Sequence, residues 1–146
     1  MSPAEGSRPA PPHPVLNAML ICDQAIREEG TGKVSLIGIF EKIQADKFPM
    51  AHLGLAVYAK VTDALGDYDV SLDLVRLDDL QLLGQGQAHA TVADRLTPAE
   101  FVFHLGFLEF ERPGRYEFRL SANGQHVAGK TFDVILLEQA PPVEGD

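Results

Sequence analysis

Aspartates crowd one stretch of this sequence. Asp63, Asp67 and Asp69 surround one loop, and Asp73, Asp78 and Asp79 follow. Calcium takes roughly six to eight oxygen ligands, often carboxylates gathered at a loop. Asp63, Asp67 and Asp69 are therefore the candidate metal ligands, with Asp78 and Asp79 falling at the far end of the intervening strand. The spacing lacks the D-x-D-x-D-G order of a calcium loop, so solvated turn carboxylates are the expectation. Gly30-Thr31-Gly32-Lys33 has the composition of a phosphate cradle. A cradle, however, needs a longer glycine loop, Lys-Ser/Thr and a helix N-terminus, and here Val34 opens a strand. A hairpin turn is expected there. The histidines, His13, His52, His89, His104 and His126, show no H-x-H or H-x-x-E-H spacing that would gather zinc. Asp23 sits beside Cys22 in an apolar run, and a buried carboxylate must be paired or hydrogen-bonded. It reads as an edge or bulge residue tied to backbone amides or to Arg27, with a binding-site acid as the functional alternative. No Ser or Cys stands at a strand-to-helix elbow, so no catalytic residue is assigned and no cofactor is expected.

Composition sets the frame for these groups. The chain has 146 residues, enough for one domain with a real core. A net charge of −9 with no basic patch argues against a nucleic-acid partner. No run approaches the roughly 18 apolar residues of a membrane helix, and no basic-then-apolar leader opens the chain. A cytoplasmic protein with no membrane partner is expected. Cys22 is the single cysteine and reads as a small buried hydrophobe.

The elements that would position the polar groups are strands. Residues 1–14, with Pro3, Pro9, Pro11, Pro12 and Pro14, read as a disordered tail, 15–138 as the domain and 139–146 as a second tail. Within the domain, apolar alternation marks Asn17–Arg27, Val34–Ile43, Leu53–Thr62, Tyr68–Leu77, Leu80–Thr91, Phe101–Phe110 and a closing hairpin through Arg115–Leu137. Gly84 and Gly86 mark a bulge or a close backbone approach in the fifth run. About seven to eight mostly antiparallel strands at short spacing predict an all-β, immunoglobulin-like sandwich. One short helical turn near residues 91–100, capped by Thr97, is the only helical signal. Gly114-x-Tyr116 reads as the start of a strand carrying a tyrosine corner.

The closing hairpin contains a conflict. A two-residue Asn123-Gly124 loop pairs Ala122 with Gln125, and a regular ladder then puts Phe132 on the face opposite Phe118 and Leu120. Either a three-residue loop or a bulge near Gly129 must restore the phase.

Several pieces together carry a resemblance: Cys22-Asp23, the turn reaching Gly32-Lys33, Ser35-x-x-Gly38-x-Phe40, Phe48-Pro49, and Pro113-Gly114-x-Tyr116-x-Phe118. The chain resembles a bacterial family of unknown function whose domains run to roughly 130 residues. The resemblance covers 16–137 and implies a β-sandwich, with no activity or catalytic residue to carry over.

The function expected from the residues is a noncatalytic interaction or assembly module. In Phe101–Phe110 the alternation sends Phe101, Phe103, Leu105 and Phe107 to the core. It leaves Val102, His104, Leu108 and Phe110 on a second face too apolar for water. His104, Leu108 and Phe110 are thus the candidate interaction residues, for a protein partner that includes a second copy of the chain. The alternatives are small-ligand or calcium binding at the loop ends and, behind it, a small enzyme built on scattered Asp and His.

Overall fold

The structure is a computed structural model that describes residues 10–137. Its strands are β1 (Val15–Arg27), β2 (Val34–Ile39), β3 (Lys42–Ala45), β4 (Met50–His52), β5 (Leu55–Thr62), β6 (Gly66–Arg76), β7 (Gln81–Val92), β8 (Ala99–Leu105), β9 (Leu108–Phe110), β10 (Gly114–Ala122) and β11 (Gln125–Leu136). One sheet has the order β2-β1-β5-β8, the other β3-β11-β10-β6-β7, and β4 pairs with β9 in a short ribbon. Among the described strands, only β3 and β11 pair in parallel. The order β11-β10-β6-β7 is the G-F-C-C′ order of a variable-type immunoglobulin sheet, and β1-β5-β8 follows A-B-E. The fold is an all-β sandwich.

Strands outnumber the sequence runs because chain segments change sheets. The Val34–Ile43 run divides at Phe40-Glu41: β2 stays with β1, and β3 leaves to pair with β11. The Phe101–Phe110 run divides at Gly106-Phe107, and its second half pairs with Met50–His52. No helix forms near 91–100. Asp94, rather than Thr97, organises that segment, its carboxylate accepting from the Leu96 amide at 2.9 Å and the Thr97 hydroxyl at 3.2 Å. Ala99 and Glu100 already belong to β8.

The phase conflict in the closing hairpin is resolved by a bulge. Ala122 pairs with Gln125 and Ser121 with His126, but Leu120 pairs with Ala128, so Val127 is the extra residue. The bulge lies two residues before Gly129 and returns Phe132 to the core side, opposite Tyr116. Phe132 stacks on Tyr116 and Phe118 at centroid distances of 5.7 and 5.4 Å, and Phe110 meets Tyr116 edge-on at 4.9 Å. Each such buried ring is worth about 1.5–3 kcal/mol in removed apolar surface. Glycines fit the core to the neighbouring strand: a Cβ on Gly86 would lie 3.2 Å from Phe103 Cδ1, and a bulge sits beside Gly84.

The N-terminal prolines divide in two. Residues 1–9, like 138–146, lie outside the described residues. Residues 10–14, expected as tail, instead lie on the sandwich: the Tyr68 hydroxyl donates to the Pro12 carbonyl at 2.6 Å, and Pro14 lines a small apolar cavity with Tyr68 and Phe101.

One sheet carries a third layer. Alternation predicts one buried face for the Leu53–Thr62 run, yet β5 is buried on both faces from Leu55 to Ala59. Ala56 and Tyr58 point away from the core but are covered, as is Cys22. The cover is the β1–β2 hairpin. Ala18 pairs with Lys60 and Lys60 with Glu100, while Arg27 Nη1 lies 3.8 Å from Glu100 Oε1. Nine extended residues from Ala18 to Arg27 would span about 30 Å, so β1 must double back over its own sheet. The bend lies at Cys22–Gln24, where the thiol donates to the Gln24 carbonyl at 3.3 Å. Gly38 faces it at φ +71°, a left-handed conformation that suits glycine. Ala25, Val34 and Leu36 are half-buried beneath the flap, and Gln24, Ile26, Ser35 and Ile37 face outward.

Candidate functional site

Asp23 marks the centre of the candidate site. It lies at the bend of β1, exposed, its carboxylate against Gly38. The expected tie to Arg27 does not form: Arg27 bonds the Gly32 carbonyl at 2.9 Å and faces Glu100. Two depressions meet at Asp23. One, of about 550 Å³, is lined by Phe40, Lys42, Gln44, Asp46, Met50 and His52 from the segment that changes sheets. The other, of about 360 Å³, is lined by Gln24, Leu53, Gly54, His104, Leu105 and Gly106. The Phe40 and His52 rings stand 6.0 Å apart. Both depressions are open surfaces of mixed polarity.

The rim is where the expected interaction residues are corrected. His104 is exposed and lines the second depression. Leu108 and Phe110 are buried, at 5% and 0% exposure, and belong to the core. Phe107, assigned to the core by alternation, is 61% exposed, and Leu53 is 82% exposed. The cause is a shared corner. β5 pairs with β8 through Leu55 and Leu105, and β4 pairs with β9 through His52 and Leu108. Between these pairs, Leu53-Gly54 and Gly106-Phe107 turn together, Gly54 at φ +120°. The turn exchanges inward and outward positions, so Leu53 and Phe107 come out where Leu108 and Phe110 go in. The glycines at 54 and 106 were the signals for this break.

The carboxylates do not converge as one set. Asp67 and Asp69 flank His89, with His89 Nδ1 3.0 Å from Asp69 Oδ1 and Nε2 3.9 Å from Asp67 Oδ1. Thr91 donates to Asp67 at 2.6 Å. Asp63 instead faces Arg95 at 3.9 Å. Among the described residues, no group of three or more His, Cys, Asp and Glu side chains is placed to hold a metal. Gly30–Lys33 is a hairpin turn, closed by the Gly32 amide on the Glu28 carbonyl at 2.9 Å.

Apart from Cys22, which adjoins Asp23, the shifted ionisable groups lie away from the depressions. Arg76 is almost wholly buried and grips Asp79 with two bonds of 2.8 and 3.1 Å, with Glu111 at 3.5 Å. The guanidinium holds the Asp79 carboxyl well below the usual carboxylate range. Arg112 clamps Asp78 at 2.8 and 3.1 Å, and the buried Tyr116 hydroxyl donates to the Arg112 carbonyl at 2.6 Å. This is the expected tyrosine corner, framed by ion pairs. Tyr58 is pushed up to about 12 by burial and by its hydrogen bond to Glu100. Burial likewise raises the Cys22 thiol.

The residues of the sequence resemblance now have places. Cys22-Asp23 is the bend, Gly38 its left-handed partner, Phe48-Pro49 the connection to β4, and Gly114-x-Tyr116 the tyrosine corner. The profile of a family of unknown function (DUF6941) matches residues 17–135. The chain belongs to DUF6941. No curated protein matches it. In this DUF6941 domain the motif residues sit at bends, turns and the corner, where they specify the scaffold. No helix among its described residues is long and apolar enough to cross a membrane.

Proposed function

We propose that this chain is a noncatalytic protein-interaction module that binds through the rim around Asp23. The observation that carries this reading is the corner between the His52–Leu108 and Leu55–Leu105 pairs, where Leu53 and Phe107 stand out at 82% and 61% exposure. Large exposed hydrophobics beside a polar depression are the composition of an interaction site. His104, Asp23 and Lys42 supply the polar groups that would orient a partner. The outer face of the other sheet gives the contrast: Arg115 pairs with Asp133, Gln85 with Asp73 and His89 with Asp69. The test is photo-crosslinking in the source cell from a benzophenone side chain placed at position 53 or 107, with position 115 as the control. Discrete protein adducts from 53 and 107, absent from 115, are expected. Equal labelling from all three positions would overturn the reading.

A further inference from the structure

We propose that the groove at Tyr68 is a binding site for extended proline-rich peptides, and that residues 10–14 are its resident occupant, displaced when a partner's peptide binds. The site lies at the Thr62 end of β5, and the Asp23 rim at the Leu55 end, so the inference stands apart from the interaction reading above.

The resident segment shows the chemistry of the ligand. Pro11, Pro12 and Pro14 have no N–H to give to a ladder, and β1 begins only at Val15. The segment is held instead as proline-rich ligands are held, by ring packing and by a donor to a carbonyl. Pro14 is buried and lines an apolar cavity with Val61, Phe101 and Val127. Pro12 is half-buried, and its carbonyl accepts from the Tyr68 hydroxyl at 2.6 Å. The Leu65 amide donates to that hydroxyl oxygen at 3.0 Å and fixes its direction. Pro11 lies over Gly66, near enough that a Cβ there would touch its ring at 3.7 Å.

None of these contacts is peculiar to this segment. His13, between the two inward prolines, is exposed, so the groove reads Pro-x-Pro and a carbonyl. A peptide already restricted by its prolines loses little freedom on docking. Among the described residues, the segment is held by one side-chain hydrogen bond and one buried ring, so it opens locally without unfolding the sandwich. A depression of about 160 Å³ remains between it and Asn123 and Gln125, which leaves room for a bulkier ligand.

The experiment uses the full chain and a fluorescein-labelled peptide, APPHPVL, with AAAHAVL as the control. P14E places a carboxylate in the apolar cavity and expels the resident segment. P12A/P14A withdraws the rings without adding charge and serves as the second displaced variant. Fluorescence anisotropy is expected to show APPHPVL binding both variants about tenfold tighter than wild type, whose own segment competes at high effective concentration. Adding Y68F to either variant should remove that gain, and AAAHAVL should bind neither, with circular dichroism and melting confirming each fold. Equal binding to wild type and the displaced variants would overturn the inference, as would no binding at all. Binding that survives Y68F or the loss of the peptide's prolines would overturn it too. The crosslinks from positions 53 and 107 test the rim independently of every one of these results.

Discussion

Asp79 holds one end of the sandwich through a single ionisation. Its carboxylate takes two bonds from Arg76, whose side chain is only 3% exposed. A carboxyl held below its ordinary range stabilises the fold above that range, and the contribution is lost as pH falls through it. Asp79 should therefore contribute fully at neutral pH and progressively less from about pH 4 downward. Urea unfolding across that window is expected to show a shallower acid loss in D79N, which starts from a lower stability at pH 7. Equal acid slopes would show that the pair does not couple to folding. Tyr116 offers a second check. Y116F removes the donor to the Arg112 carbonyl and should cost about 1–2 kcal/mol with an unchanged denaturant slope. At this scale the sequence revealed Tyr116 and concealed Arg76. The tyrosine corner is local, spelled by Gly114-x-Tyr116. Arg76 takes partners in Gln81 and Glu111, which only the folded pairing of strands brings to it.

At the scale of elements, alternation reports which residues share a face and is blind to where the face turns over. The hairpin yielded its irregularity because the two strands were adjacent and their phases could be compared, and the bulge at Val127 is the answer. The Phe101–Phe110 run carried no such comparison. Its phase reverses at Gly106 because β4, which lies between two of the sequence runs, draws Leu108–Phe110 away from β8. Two glycines test this division of labour. A Cβ on Gly86 would lie 3.2 Å from the Phe103 ring, which would have to give by a few tenths of an ångström; that ring is packed in the core, so G86A should destabilise by about 1–3 kcal/mol. Gly106 has open space and no positive φ, so G106A should gain about 0.4–1 kcal/mol through the unfolded chain. Chemical denaturation of the two variants should move in opposite directions. A stabilised G86A would mean that Phe103 does not press on β7.

The whole molecule is a two-sheet sandwich with a flap, and the flap was the least legible part of the sequence. Asn17–Arg27 and Val34–Ile43 read as plain strands, since a strand that doubles back keeps its alternation on both sides of the bend. Only Gly38, in a run otherwise rich in β-branched and aliphatic residues, hinted at it. The folded-back hairpin covers an apolar outer surface of Cys22, Ala56 and Tyr58, and Arg27 reaches Glu100 at its far edge. Cys22 is a built-in probe of that cover, being the only thiol in the chain. Its thiol bonds the Ala56 and Gln24 carbonyls, and burial raises its pKa, so the intact protein should react slowly with an alkylating reagent. Arg27 is half exposed and lies outside the core, so R27E should leave the sandwich folded while setting a second carboxylate against Glu100. A flap opened more often exposes Cys22 without global unfolding, and the native-state alkylation rate should rise several-fold, up to about tenfold, with little change in melting temperature. R27K, which keeps the charge, should stay near the wild-type rate. If R27E alkylates no faster than wild type, Arg27 and Glu100 do not latch the flap, and its closure rests on the apolar contacts of Ala25, Val34 and Leu36 alone.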